Sequence, residues 1–226
     1  FLLNEVENER KMLLGLGISD KSYNIFKNFD YSPNMLLPCY IREIQPFKKK
    51  STESTTLSCT VVDKFTSEHE QFFNNISSSY KIICRKDRKF LEWRYQSYDY
   101  LKHCVVQAKE GSSLRGLIFL RVQGEVQGGL GTVTDILTKP EDEHTFDILM
   151  QEAFSYFLEQ KISKIRCYMI DRRIGSHLLR NGFKETSSKM RFMYKNNDPG
   201  IENSILSQSG SWYLTMADSD IGTLRW

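Results

Sequence analysis

The positions of hydrophobic and polar residues divide the chain into helical and extended segments. The clearest helical pattern follows Pro140, where apolar side chains recur at the helical spacing of about 3.6 residues. This stripe consists of Phe146, Leu149, Met150, Ala153, Phe154, Phe157 and Leu158. A stripe of this width must be buried, so we expect the helix to pack against a sheet. Residues 164–170 alternate apolar and polar side chains, which predicts a strand after the helix.

Three strand-like segments come before this helix. They cover residues 101–109, 114–123 and 130–137, and turns rich in glycine and serine join them. Because such short turns connect neighbouring antiparallel strands, the three segments predict a meander. Further along the chain, Asp171 can cap a short helix, and Gly182 fits the C-terminal end of that helix.

Two helices are predicted ahead of the meander. Ser67 and Glu70 have the spacing of a capping box, which begins the first helix. The second covers residues 86–97 and is rich in aromatic side chains, which we interpret as part of the core. Arg94 lies among these aromatics, so we expect its side chain to face a pocket.

The N-terminal part of the chain has a weaker pattern. Residues 4–14 predict a helix, and residues 22–29 predict a short amphipathic helix. Residues 35–44 are apolar and extended, and Pro38 restricts them to an edge strand or an irregular strand.

These segments suggest a division of the chain. We interpret residues 1–46 as the remnant or C-terminal part of a separate N-terminal unit. Residues 47–60 are rich in lysine, serine and threonine and predict a linker. Residues 61–226 then form the main domain, and residues 197–226 close it as a C-terminal flap.

Composition narrows the class of protein. The chain is 40% hydrophobic and 26% charged, as in globular proteins, and no apolar run approaches the ~18 residues that span a bilayer. The net charge of +3 gives little support for nucleic-acid binding, and we interpret the basic run at 85–89 as a solvated helix end. The five cysteines include no CxxC pair, which argues against a metal site and suits a reducing cytoplasm.

The order of these elements, ending in Asn181-Gly182-Phe183, resembles the GNAT acyltransferase fold over about residues 65–196. The resemblance implies an α+β sandwich, in which helices flank a mixed, mostly antiparallel sheet. Residues 23–44 are similar to the end of an earlier, degenerate GNAT unit, as in tandem GNAT and FemAB-like proteins. Residues 90–95 and 212–220 resemble proteins of bacterial surface-polysaccharide biosynthesis.

The resemblance implies an acyltransferase that uses acetyl-CoA or another acyl-CoA as co-substrate. In the family, a bulged fourth strand offers backbone groups to the pantetheine arm of the donor. The matching positions in this chain are Ile136, Leu137 and Thr138. Asp135 lies beside the expected thioester and is the candidate general base.

Two further family positions differ in this chain. A tyrosine on the last helix often protonates the departing thiolate in the family, but the matching residue here is Leu178. Tyr168 and His177 are the candidates to replace it. Asp171 stands where the family often has an asparagine near the cofactor, and a capping role is the alternative.

The family's pyrophosphate loop is missing from the sequence. A basic, glycine-rich segment should follow Thr138, but the chain has Lys139-Pro140-Glu141-Asp142-Glu143. Carboxylates at a helix N-terminus occupy the positive end of its dipole and repel a phosphate. The sequence therefore leaves open whether CoA binds.

The acceptor implied by the resemblance is a small molecule with an amine, such as an amino-sugar. Arg94, Trp212, Tyr213 and Asp218 are the candidates to line its pocket. A homodimer is compatible with the sequence. The residues Asp218-Ser219-Asp220 also have the spacing by which glycosyltransferases hold a metal, although we predict no metal here.

Two alternative functions stay open. A FemAB-like aminoacyl transferase would use charged tRNA, which would explain the missing pyrophosphate loop. A catalytically silent GNAT-like module for binding or assembly would explain both the missing loop and the missing tyrosine.

Overall fold

A computed structural model describes residues 12–45, 56–97, 103–123 and 129–219, and we number its elements in chain order. The strands are β1 (Met12–Ile18), β2 (Ser32–Leu36), β3 (Cys39–Glu43), β4 (Leu57–Val61), β5 (Ile82–Ile83), β6 (His103–Glu110), β7 (Ser113–Gln123), β8 (Leu130–Thr138), β9 (Lys164–Tyr168), β10 (Lys184–Thr186), β11 (Arg191–Asn196) and β12 (Trp212–Tyr213). The helices are α1 (Asp20–Asn28), α2 (Ser67–Ser77), α3 (Arg88–Gln96), α4 (Glu143–Glu159), α5 (Arg172–Arg180) and α6 (Asn203–Leu206). Two one-turn 3-10 helices cover Ser209–Ser211 and Met216–Asp218.

The main sheet contains seven of the described strands, in the order β10-β3-β9-β8-β7-β6-β4. All neighbouring pairs are antiparallel except β8 and β9, which run parallel. A parallel pair needs a crossover connection, and α4 supplies it. The predicted meander is β6-β7-β8. The α+β class and the mostly antiparallel sheet are therefore confirmed.

One strand from the N-terminal part of the chain, β3, belongs to the main sheet. β3 lies between β9 and β10, where Cys39 faces Tyr168 on one side and Thr186 on the other. β1 and β2 pair with β11 in a second, three-stranded sheet. The division at the linker 47–60 stays a prediction, and residues 47–55 of the linker lie outside the described residues.

The long helix α4 forms the centre of the core. Its predicted apolar residues are fully or almost fully buried, except Leu158, which is half-buried and packs against the same cluster. α4 packs across β4, β6, β7 and β8. Gly116 on β7 and Gly131 on β8 allow this close approach, because an added Cβ would come within 3.0 Å of side chains on α4.

A β-bulge in β8 determines the shape of the sheet near its centre. Val133 faces Leu120 and Asp135 faces Phe119, so Thr134 is the extra residue. The Thr134 hydroxyl donates to the Phe119 carbonyl oxygen at 3.1 Å. β8 pairs with β9 only as far as Val133, although β8 continues to Thr138. An opening therefore begins at the bulge, between the last residues of β8 and the end of β9.

Two predictions of local structure were wrong. Residues 12–14 belong to strand β1 rather than to a helix, because β11 supplies a pairing partner from Met12 onwards. The predicted helix at 4–11 lies outside the described residues. The first-turn contact of α2 is made by Thr66 and His69, not by Ser67 and Glu70: the Thr66 amide donates to His69 Nδ1 at 3.0 Å.

The segment at 35–44 is irregular, as predicted from Pro38. This residue lies between β2 and β3 and so ends one strand before the next begins. β2 is an edge strand of the three-stranded sheet, whereas β3 is an interior strand, paired on both sides.

The close packing of α4 on β7 gives a prediction for stability. In Gly116→Ala, the new methyl group would lie 2.8 Å from Leu149 Cδ1 and 2.9 Å from Thr145 Cγ2. We expect this overpacking to lower the free energy of unfolding by about 1–3 kcal/mol in urea titrations. Gly210→Ala is the control, because nothing lies within 4 Å of its added Cβ. Equal stabilities of the two variants would contradict this account of the packing.

Candidate active site

A buried lysine connects two buried carboxylates at the opening beside β8. The Lys86 ammonium lies 3.0 Å from Asp135 Oδ2 and 2.7 Å from Asp218 Oδ1. The three side chains are at most 1% exposed. The Lys86 ammonium donates a hydrogen bond to Asp218 Oδ1. Asp135 Oδ2 makes no hydrogen bond with the described residues and interacts with the lysine through its charge alone. Because Lys86 lies against both carboxylates, its charge offsets part of the free-energy cost of burying them.

Separate elements position the three side chains. The bulge at Thr134 places Asp135 at the start of the opening. Asp218 ends a one-turn 3-10 helix, where its other carboxylate oxygen accepts the Thr215 amide at 2.9 Å. Lys86 comes directly before Asp87, which caps α3 by accepting the Phe90 amide at 2.9 Å.

Two tyrosine hydroxyls occupy the open edge of β8. The Tyr213 hydroxyl lies 2.8 Å from Asp135 Oδ1 and also contacts the Ile136 carbonyl oxygen, so its hydrogen is shared between them. The Tyr80 hydroxyl donates to the Thr138 carbonyl oxygen at 3.1 Å. The Ile136 amide donates to Asp135 Oδ1 at 2.9 Å. The carbonyl oxygens of Ile136 and Thr138 therefore already have donors from within the chain.

The electrostatics of this cluster differ from those of exposed side chains. Burial raises the pKa of Asp135, as does the nearby Asp218 carboxylate, while the Lys86 ammonium opposes the rise. Burial alone would lower the pKa of Lys86, but Asp135 and Asp218 outweigh it, so the net pKa is raised and the lysine stays charged. The result is a carboxylate with a raised proton affinity at the opening of the sheet.

Residues Trp212–Ser219, which we name the strap, lie in the opening. The Leu214 carbonyl oxygen accepts the Ile170 amide at 3.3 Å, and Thr215 forms a β-bridge with Met169 just after β9. On the other side of the opening, Tyr213 contacts β8 as described above. The strap thus lies between the diverging ends of β8 and β9.

Arg94 and Trp212 hold the strap at its two ends. The buried Arg94 guanidinium donates to the Met216 carbonyl oxygen at 3.1 Å and contacts the Ser219 carbonyl oxygen. Trp212 Nε1 donates to the Leu206 carbonyl oxygen at 2.8 Å, and its ring packs on Phe192.

The start of α4 is the other place where a CoA donor would bind. Asp142 caps the helix by accepting the Thr145 amide at 3.1 Å, and its other oxygen pairs with Arg115 at 2.9 Å. The Glu143 amide donates to the Glu141 carbonyl oxygen at 3.1 Å. These amides are not free to bind a pyrophosphate. With the β8 carbonyls also taken, the described residues in this arrangement do not fit a bound acyl-CoA.

The remaining predicted residues lie outside the Lys86 cluster. His177 Nε2 is 2.6 Å from the Pro140 carbonyl oxygen, and its ring packs against Phe146. Tyr168 is half-buried beneath the Arg166 guanidinium. Leu137 is fully buried in the core. Their proposed parts in catalysis and donor binding stay predictions.

Asp171 has the capping role that was the alternative to cofactor contact. Its Oδ1 accepts the amides of Arg173 at 2.8 Å and Ile174 at 3.2 Å, which begins α5. Its other oxygen pairs with the Arg173 guanidinium at 2.7 Å.

Sequence reasoning missed Lys86 and Tyr80. Lys86 lies in the basic run at 85–89, which we interpreted as a solvated helix end, yet its side chain is fully buried. The neighbouring Arg85 and Lys89 are exposed, so composition alone does not distinguish the buried cation. The only indication in the sequence of a buried cation is the acidic residue Asp218, which would need a cation as partner once it is buried.

The described residues give three further findings. None of their helices is long and apolar enough to cross a membrane. Among them, we also find no group of three or more histidine, cysteine, aspartate or glutamate side chains placed to hold a metal ion. The five cysteines are free thiols.

Comparison with solved structures identifies the fold. A GCN5-related N-acetyltransferase from Anabaena variabilis ATCC 29413 has a TM-score of 0.54 at 11% identity; the match covers 86% of this chain and 48% of that one. A conserved protein of unknown function and probable N-acyltransferase from Enterococcus faecalis V583 has a TM-score of 0.62 at 7% identity, covering 87% and 48%. A functionally unknown conserved protein from Staphylococcus epidermidis ATCC 12228 has a TM-score of 0.52 at 9% identity, covering 87% and 77%.

These likenesses confirm that the chain has the GNAT fold. No protein-family model matches the sequence, and no curated protein matches it. The chain spans about half the length of the first two structures, 48% of each. At these identities, the shared property is the fold.

The ion cluster gives a prediction for stability. Lys86→Met would leave Asp135 and Asp218 buried without a cation, and we expect the free energy of unfolding to fall by about 3–5 kcal/mol. The control is the exposed neighbour in Lys89→Met, which should change it by less than about 0.5 kcal/mol. Urea denaturation measures both. A loss as small as that of the control would show that the cluster contributes little.

A second prediction concerns His103, which packs edge-on against Tyr95. Burial lowers the pKa of His103 to about 4, and Arg121 and Arg94 add to this effect. The unfolded chain binds a proton near pH ~6.5, so stability should be lost as the pH falls from ~6.5 to about 4.

In His103→Phe, this part of the pH dependence should disappear. Thermal or urea unfolding at pH 7, 6, 5 and 4 would measure the effect. If both proteins lose stability equally over this range, His103 is not the group responsible.

Proposed function

We propose that the chain is an acyltransferase, which moves an acyl group from an activated donor to an amine. The observation that carries this proposal is the bulge in β8, which opens the sheet and places the Asp135 carboxylate at the start of the opening. The GNAT fold and the N-acetyltransferase among its structural neighbours support the same class of reaction.

Asp135 is the proposed general base. A carboxylate accepts a proton from an amine more readily when its pKa is raised, and burial raises the pKa of Asp135. The amine nitrogen attacks the acyl carbonyl carbon and forms an amide bond, while the bond from that carbon to the donor's leaving group breaks. The proton lost by the nitrogen goes to Asp135. Lys86 and Tyr213 hold the carboxylate in place for this step.

The acyl donor has two candidates. An acyl-CoA, acetyl-CoA above all, is the donor that the fold suggests, but the start of α4 and the β8 edge do not fit it as they stand. The aminoacyl ester of a charged tRNA, as in FemAB-like transferases, needs no pyrophosphate cradle. The net charge of +3 adds little support for tRNA.

The acceptor has a candidate groove of about 840 Å³ beside Tyr80. Its lining combines apolar and charged side chains, among them Phe73, Ile82, Leu206, Lys81, Arg85 and Glu202. This volume is suited to a small molecule such as an amino-sugar. Tyr80 forms one wall of the groove and donates to the Thr138 carbonyl oxygen, so the groove lies beside the strand that contains Asp135.

The other proposed acceptor residues are Arg94, Trp212, Tyr213 and Asp218. All four side chains contact the chain itself and are almost fully buried. They could meet an acceptor only after the strap moves. A homodimer, a cytoplasmic location and a part in surface-polysaccharide biosynthesis also stay proposals.

One observation favours a different function. The hydroxyls of Tyr80 and Tyr213 satisfy the β8 carbonyls that a donor arm would use. A catalytically silent module for binding or assembly would need no open edge there. This module is our second candidate.

Substitution of the base tests the first candidate. We expect Asp135→Asn to lower turnover by about 10²–10⁴-fold and to change the acceptor KM by less than about twofold, because the amide cannot take the proton. Initial rates with a panel of amino-sugars would be measured with acetyl-CoA and, separately, with charged tRNA. Asp63→Asn, an exposed site, is the matched control.

Two results would decide against this assignment. Unchanged turnover in Asp135→Asn would remove the proposed base. If no donor supports turnover and calorimetry detects no binding at millimolar acetyl-CoA, the silent module is the better account.

A further inference from the structure

We infer that the strap is a movable plug, which must leave the opening between β8 and β9 before a donor reaches β8. The identity of the donor that then enters the opening rests on the proposed function. The movement of the strap does not depend on that function.

The strap occupies the position of an extended ligand. Between the diverging strands, it accepts a backbone hydrogen bond from Ile170 on one side. On the other side, the Tyr213 hydroxyl contacts the Ile136 carbonyl oxygen. An extended donor arm with N–H groups would make the same contacts, so the strap and the arm exclude each other.

Few backbone hydrogen bonds hold the strap to its neighbours. β12 pairs with β5 over two residues, and a single bridge joins Thr215 to Met169. Within the strap, the amides of Asp218 and Ser219 bond to Thr215 and Met216, so these bonds can travel with it. The strap's side chains are almost fully buried, so opening must unpack them, but it breaks fewer backbone hydrogen bonds than opening the core of the sheet would.

The charges at the site also permit departure. Lys86 is shared between Asp135 on β8 and Asp218 in the strap. When Asp218 leaves for water, Lys86 keeps Asp135 as its partner. Opening therefore leaves the Lys86 and Asp135 charges paired with each other, in contrast to the loss of one partner from a simple buried pair, although the Arg94 guanidinium loses the Met216 and Ser219 carbonyl oxygens.

We expect Trp212 to stay in place when the strap moves. Its indole nitrogen donates to Leu206, and its ring lies 4.7 Å from Phe192 and 5.4 Å from Tyr194. These contacts belong to a core cluster that does not include β8. Tyr213 and Ala217 pack with the cluster that contains β8, whereas Leu214 and Met216 pack in the same cluster as Trp212. Tyr213 can therefore leave β8 while Trp212 stays packed.

The Ile170 amide is a direct reporter of the movement, because its acceptor is the Leu214 carbonyl oxygen in the strap. Hydrogen exchange of the whole chain, without denaturant, should show this amide exchanging at least about tenfold faster than the amide of Met150 in the buried face of α4. Tyr213→Phe removes one tie of the strap and keeps the ring. It should speed exchange at Ile170 further and leave Met150 unchanged.

A reversible crosslink tests whether the strap itself is what moves. Met169 and Thr215 face each other in an antiparallel bridge, a separation that a disulfide can span. Oxidation of Met169→Cys/Thr215→Cys should slow exchange at Ile170 by about tenfold or more, and reduction should restore it. Mass spectrometry verifies the crosslink, and each single variant serves as a control.

Two outcomes separate this inference from the proposed function. If Ile170 exchanges as slowly as Met150, and neither Tyr213→Phe nor the crosslink changes its rate, the strap is a fixed part of the core and the inference is wrong. If Ile170 behaves as expected but no variant transfers an acyl group, the plug stands and the acyltransferase assignment fails.

Discussion

The structure around the opening depends on the ammonium group of Lys86. It lies between carboxylates from two distant segments, Asp135 on β8 and Asp218 in the strap. Neither carboxylate could be buried in its ionised form at this point without a cation, since desolvation of an unpaired charge is costly. The lysine thereby joins three parts of the chain: the segment before α3, the centre of the main sheet and the strap.

One extra residue in β8, Thr134, determines where the Lys86 cluster lies. Thr134 interrupts the pairing of β7 with β8, and the pairing of β8 with β9 ends beside it. A bulge bends its strand and redirects the following side chains. The same local change therefore opens the sheet and directs Asp135 into the opening, where the strap and Tyr80 complete its surroundings.

The elements predicted correctly are those with strong local patterns. The stripe on α4 and the alternation in β6 to β8 depend on periodicity within one segment, which the sequence displays directly. β1 depends instead on β11, a strand far away in sequence, and was mistaken for a helix. Asp135 was identified through the resemblance, but Lys86 and Tyr80 meet β8 only in the folded chain. Periodicity contains no information on such contacts.

The interior position of β3 has a consequence for biosynthesis. β3 leaves the ribosome before both of its partners, β9 and β10, which follow only after on the order of a hundred further residues. Until then, both of its edges lack their native partners, a state that invites pairing with other chains. Pro38 and Arg42, at the start and near the end of this segment, are residues of the kind that discourage such pairing. Residues that separate β2 from β3 and pack on Phe154 in the finished fold would therefore also reduce pairing of the nascent chain with other chains.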